Sequence, residues 1–152
     1  MTIPASIDFI HILNRITGGH LLAWKVVLAT IVFALAGLQV AMAARFWGVT
    51  AFPPMSAAAA ARVHRINGRI VVTLAVLVGF SCLVGPAGPT SPTRVLLHSI
   101  FGSLLFALLA AKFAVLKVLR SKQNLLPLLG VALFLTFGAV WLTSVADYVS
   151  AR

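Results

Sequence analysis

A chain of 152 residues that is 61% hydrophobic and only 9% charged is not an ordinary water-soluble domain, which carries roughly 25% charged residues. Its few charges could not cover the outside of a soluble fold, whereas a lipid-facing surface can be as apolar as the inside. A formal charge of +10, from twelve Lys or Arg against the two acids Asp8 and Asp147, would point a soluble protein toward nucleic acid; here the bases fall at helix ends and short loops, where they set membrane orientation, and no nucleic-acid partner is expected.

In chain order, Pro4 to Arg15 mixes polar and apolar types, with Ile7, Ile10, His11, Asn14 and Arg15 among them. This reads as a short interfacial helix ended by Gly18-Gly19. No basic residue precedes Arg15 and Asp8 sits where a leader would be positive, so a cleavable signal is not expected. The first spanning run covers about 21–44. Lys25 and Gln39 interrupt it on one helix face, which lipid would reject, so that face points into the bundle. Arg45 to Pro54 reads as a loop stopped by Pro53-Pro54.

Ser56 can cap the next helix, which begins in Ala57 to Ala61 and spans about 63–85. Pro86 to Pro92 is a rigid turn, and Pro92 suits the first turn of a third helix spanning about 93–118. Arg120 to Asn124 is a polar turn, and the fourth span covers about 125–148 with Pro127 in its first turn. Four spans of about 20 residues or more use nearly the whole chain. The expected fold is therefore all-α: a four-helix transmembrane bundle with a short N-terminal interfacial helix, forming a single domain over 1–152.

Short loops make neighbouring helices antiparallel. The N-terminus, the Pro86–Pro92 turn and the C-terminus then share one face of the membrane, face A, with Arg15, Arg94 and Arg152, and Lys25 just inside. The opposite face B carries Arg45, Arg62, Arg65, Arg69, Lys117, Arg120 and Lys122, with Lys112 just inside. The excess of bases makes B cytoplasmic and puts both termini outside. Trp24 and Trp141 near A and Trp47 near B read as interfacial belts.

Two histidines carry a common pattern. His64 lies near the start of the second span and His98 one turn into the third, each followed four residues later by a glycine, Gly68 or Gly102. Haem iron takes an imidazole ligand, and a glycine one turn along leaves room for a flat macrocycle. Equally, glycines line helix contacts in any membrane bundle. His64 falls on face B and His98 near face A, on the order of 25 Å apart at about 1.5 Å per residue, so they cannot share one iron. The depth-matched partner for His98 is His20, with His11 reaching only by a fold-back. No second histidine exists for His64 on face B. Met42 has a thioether that can ligate iron; the alternative is that His64 forms hydrogen bonds or meets a propionate or quinone with Arg65 and Arg69.

Asp147 ends a polar stripe with Thr136 and Thr143, and is expected to pair with Lys25 or Arg94. Lys112 is expected to snorkel to the cytoplasmic headgroups. The single cysteine, Cys82, excludes an internal disulfide and a multi-cysteine metal or iron–sulfur site, and reads as a small buried helix residue. No carboxylate pair, phosphate loop or HExxH motif is present.

The segments Leu22-Ala-Trp-Lys25, Val63-His-Arg-Ile-Asn-Gly68, Arg94-Val-Leu-Leu-His-Ser-Ile-Phe-Gly102, Ala110-Ala-Lys112 and Trp141-Leu-Thr-Ser144 resemble an uncharacterised family of small four-helix bacterial membrane proteins. That family in turn looks like a compact relative of the cytochrome b561 and ferric-reductase type. The resemblance implies haem b held between helices on histidine pairs. It also implies, in some members, a histidine directly before the cysteine of the second helix. Here that position is Ser81, so either His20 substitutes or no haem sits at that site. The expected function is a b-type haem protein or electron-transfer subunit of the bacterial plasma membrane, with His98 and His20 on the iron and a quinone, redox protein or larger respiratory complex as partner. The alternative is a non-catalytic membrane subunit that anchors or stabilises a larger complex.

Overall fold

A computed structural model describes residues 11–12, 14–84 and 91–150. Four long helices dominate it: α1 (Leu21–Phe46), α2 (Ala57–Val84), α3 (Pro92–Lys117) and α4 (Leu126–Ser150), with a 3-10 turn at Arg120–Leu125 before α4. All four are long and apolar enough to cross a membrane. At about 1.5 Å per residue each runs to roughly 40 Å, longer than the hydrocarbon core of about 30 Å, so their ends reach the headgroups. Among the described residues there is no strand. The protein is an all-α multi-pass membrane protein.

Local chemistry explains the helix ends. The described part of the interfacial segment is helical at His11, Ile12 and 14–16, then turns at 17–19; the other residues of that expected helix, 4–10 and 13, lie outside the described residues. Gly18 and Gly19 take the left-handed conformation, φ 59° and 83°, and Gly19 N–H closes the turn on the Asn14 carbonyl at 2.8 Å. Ser56 caps α2, its hydroxyl accepting from Ala59 N–H at 3.2 Å. Pro92 opens α3.

α1 runs two residues past its expected end. Arg45 and Phe46 are helical rather than loop, because the helix has a complete C-terminal stop just beyond them: Gly48 at φ 75°, Val49 N–H on the Ala44 carbonyl at 2.8 Å and the cationic Arg45 in the last turn. The Arg45 Nε–H also ties α1 to the following loop through the Pro53 carbonyl, 3.2 Å away.

Around the bundle the order is α2, α1, α4, α3: α1 packs on α2 and on α4, and α4 packs on α3, while α2 meets α3 where the Phe106 ring lies against Gly79. α1 and α3 stand diagonally. The interior is thin, centred on Val32, Val71 and Ala75 with Leu35, Leu74 and Phe137 against them. Outward side chains are large and apolar, Leu83 being 88% exposed and Leu135 65%, which only lipid can cover.

The α1–α4 seam is aromatic. Phe33 stacks between Phe134 (centroids 5.4 Å apart) and Trp141 (5.1 Å). Gly138 makes room for it, since a Cβ there would sit 3.4 Å from the Phe33 ring. The Trp141 Nε1–H donates to the Thr30 hydroxyl at 3.0 Å, whose own hydrogen goes to the Val26 carbonyl. Trp141 is therefore a residue of the α1–α4 seam. Trp24 and Trp47 are exposed and suit the belt.

The α1–α2 pair is polar at its centre. Asn67 is 5% exposed and donates through Nδ2 to the Leu35 carbonyl at 2.8 Å. Asn67→Leu is expected to cost about 0.6–1.7 kcal/mol, the range for side-chain hydrogen bonds between membrane helices, read as a lower midpoint of thermal unfolding in detergent. An unchanged midpoint would show that this bond contributes nothing.

Candidate functional site

Both histidine–glycine pairs sit on inward faces. On α3, Leu105 is buried and His98, Gly102, Leu109 and Lys112 are half-buried, while Leu96, Leu97, Ile100 and Leu104 face out. On α2, Asn67, Val71 and Ala75 are buried, with His64, Gly68 and Gly79 half-buried beside them. Cys82, expected inside, is exposed.

The neighbours of each imidazole settle its tautomer. His98 Nδ1 lies 2.9 Å from Thr143 Oγ1. That hydroxyl gives its hydrogen to the Val140 carbonyl at 2.8 Å, so it can only accept from the ring. His98 Nδ1 therefore carries the proton and Nε2 presents a lone pair. His64 Nδ1 lies 3.0 Å from the Gln39 carbonyl, an acceptor, so it too is Nδ1-protonated with Nε2 free to accept. A backbone or hydroxyl oxygen on Nδ1 is the arrangement that orients histidines bound to metals.

The two glycines then diverge. A Cβ built at Gly102 meets nothing within 4 Å. A Cβ at Gly68 would run into the Gln39 side-chain amide. Space beside His98 is open; space beside His64 is filled by Gln39 reaching across from α1. His64 also has the Phe46 ring edge-on at 5.3 Å and lies within electrostatic reach of Lys112. Arg65 and Arg69 on the same helix are exposed. His64 and Asn67 instead grip two successive turns of α1, at the Gln39 and Leu35 carbonyls. Met42 is buried, 3% exposed, in the same end of the α1–α2 interface.

At the other end, Arg94 and His98 act together on one residue of α4. The Arg94 Nε–H donates to the Thr143 carbonyl at 2.7 Å, and His98 takes the Thr143 hydroxyl. The sequence shows Thr143 only as a member of the polar stripe that ends at Asp147, and gives Asn67 no role of its own. The available signal was positional: Thr143 lies one turn before Asp147, and Asn67 one turn after His64. The Asp147 side chain, and so the expected ion pair, lies outside the described residues. Lys25 is half-buried and acts electrostatically on both His98 and Cys82. His20 is the exposed N-cap of α1 and makes no side-chain cap bond. Among the described residues no three His, Cys, Asp or Glu side chains converge.

Neither a curated protein nor a solved structure matches the chain. Residues 12–151, nearly its whole length and all four helices, match a family described only as a family of unknown function, DUF6529. On that match the chain belongs to the DUF6529 family.

Proposed function

We propose that the protein is a b-type haem protein or electron-transfer subunit, with the iron on His98 Nε2. The carrying observation is the contrast between the two histidine–glycine pairs: His98 combines an oriented Nδ1–H, an available Nε2 lone pair and open space at Gly102, whereas the space beside His64 is taken. These residues fit the flat macrocycle and the imidazole donor that haem needs. When bound, haem supplies reversible one-electron transfer. The residues around it hold the imidazole: Thr143 orients the ring, and Arg94 locks α3 to the α4 turn that carries Thr143.

The second ligand in this reading is His20. Its helix, α1, stands diagonally from α3 rather than against it, and cofactor sites in bundles are built between helices that face each other across the core. Lys25, five residues on, is within electrostatic reach of His98, which brings this end of α1 to the depth of His98. Gly68 and His64 drop out of the haem site and serve the α1–α2 contact. Arg94, held one turn before Asp147, is the cation we pair with Asp147. The basic excess on face B supports a plasma-membrane orientation with both termini outside, so the haem would lie near the outer face, with a membrane quinone or a respiratory redox protein as partner.

The test is a visible spectrum of protein purified in detergent from a haem-replete host, oxidised and then reduced with dithionite. A Soret band and a reduced α band are expected, and His98→Ala should remove both. No bands would sink the haem reading and favour a membrane subunit that anchors a larger complex; bands that survive His98→Ala would reject the ligand.

A further inference from the structure

The outward face of α2 carries charge through half its length. Arg62, Arg65 and Arg69 are all exposed. At about 3.6 residues per turn they fall within about 60° of one another, on the side of α2 opposite the buried Val71 and Ala75. Among the described residues none of the three guanidinium groups has a hydrogen-bond or ion-pair partner. The same stripe continues toward face A as Thr73, Val76, Phe80 and Leu83, also exposed. Thr73 turns its hydroxyl hydrogen back to the Arg69 carbonyl at 3.0 Å, so it offers lipid no free donor.

The register of α2 on α1 gives the depth of these cations. His64 and Asn67 bond to the Gln39 and Leu35 carbonyls. Arg62 is therefore level with Ala41, and Arg69 with Phe33, halfway along α1. α1 has no charged residue between Lys25 and Arg45, about 30 Å, the thickness of the hydrocarbon core. The arginine stripe of α2 thus reaches into a depth that is apolar on α1. Side chains tilt toward the N-terminus of their helix, here the face-B end, so all three guanidinium groups are carried toward the face-B headgroups. A charged outward face at this depth is accommodated by snorkelling and local thinning of the bilayer, or by a protein contact. A two-fold dimer through this face would set arginine against arginine, which leaves the lipid.

We infer that the stripe of Arg62, Arg65 and Arg69 binds the headgroup of an anionic phospholipid of the face-B leaflet, drawn inward beside α2. Phosphate is the anion that a lipid-facing surface meets, and planar guanidinium groups match its oxygens in bidentate pairs. Arg62 and Arg69 lie about 10 Å apart along the helix, with Arg65 between them, so Arg65 and either neighbour can close on one headgroup. The acyl chains then run along Val76, Phe80 and Leu83. Net charge sets the selection: a zwitterionic headgroup brings its own cation to the phosphate, and three arginines repel it. The inference does not use the haem reading.

Native mass spectra of the detergent-solubilised protein, titrated with phosphatidylglycerol and with phosphatidylcholine, read the ratio of the two affinities. Phosphatidylglycerol should bind more tightly. The ratio should fall by about fivefold in each of Arg62→Gln, Arg65→Gln and Arg69→Gln, the contribution of one basic residue near a membrane surface. Arginine to lysine at the same positions should keep most of it. Gln at Lys117, Arg120 and Lys122 together, in and before the α3–α4 turn, should change it less than twofold. Equal affinities in the unaltered protein overturn the inference and leave the stripe to a partner helix bearing carboxylates. A ratio that survives Gln at all three arginines, or that falls as far with the α3–α4 substitutions, also overturns it, because the binding would then come from the basic surface at large.

Discussion

Gly68→Leu is expected to separate α1 from α2 and to lower the midpoint of thermal unfolding in detergent, while Gly102→Leu leaves the midpoint of the haem-free protein close to that of the unaltered chain. A side chain at Gly68 has to displace the Gln39 amide, whose Oε1 is already shut away without a hydrogen-bond partner. The amide is the end of a flexible side chain and can swing aside for a Cβ, but the rest of a leucine side chain still has to enter the α1–α2 seam. The helices would then move apart, stretching the His64–Gln39 and Asn67–Leu35 bonds that lie on either side of the glycine. Overpacking costs about 1–3 kcal/mol, and each of the two bonds adds about 0.6–1.7 kcal/mol when lost, so a loss of about 2–6 kcal/mol is expected. At Gly102 a side chain meets no atom of the protein within van der Waals range of its Cβ. Its effect should fall on haem: Gly102→Leu protein should fold and yet lack the Soret band. Equal stability losses at the two glycines would contradict the close approach at Gly68.

Thr143→Val is expected to weaken haem binding by about 10- to 100-fold, the usual effect of removing an outer hydrogen-bond partner of a ligating histidine. Valine keeps the shape and deletes the oxygen. The His98 Nδ1–H then loses its acceptor, the ring is free to turn, and the tautomer with the lone pair on Nε2 is no longer selected. The Arg94 bond runs to the Thr143 backbone carbonyl, which valine retains, so the α3–α4 contact survives. Titration of haem into the haem-free variant separates the two effects. A normal unfolding midpoint with weakened binding is the expected outcome; unweakened binding would mean that Thr143 does not position the ligand.

Much of the fold is legible in the residue order because helix ends are decided locally. Ser56, Pro92, Pro127 and the Gly18-Gly19 pair act through backbone geometry and one or two nearby hydrogen bonds. Arg45 reads as a loop residue in the sequence because the helix stop at Gly48 is an array of backbone bonds that charge and hydropathy do not reveal. The site was only half legible. Two identical His-x-x-x-Gly spacings look alike in sequence, and what distinguishes them is the helix that lies opposite each glycine. Gln39 is 29 residues before Gly68, so no local pattern announces that it fills that space. The same holds for Trp141, whose ring is claimed by Phe33, far away in the chain.

The unequal seams of the bundle also bear on how it is built. α1 with α2, and α3 with α4, are neighbours in sequence, and each pair is joined by side chains bonded to the partner helix: His64 and Asn67 in one, Arg94 and His98 in the other. Each hairpin can therefore assemble as soon as its second helix has entered the lipid during synthesis. The stack of Phe33, Phe134 and Trp141 is different, since it joins the first helix to the last and has to wait for the chain to be finished. It is the latch that unites two preassembled halves, and the Phe106 ring of α3 set against Gly79 of α2 closes them on the other side.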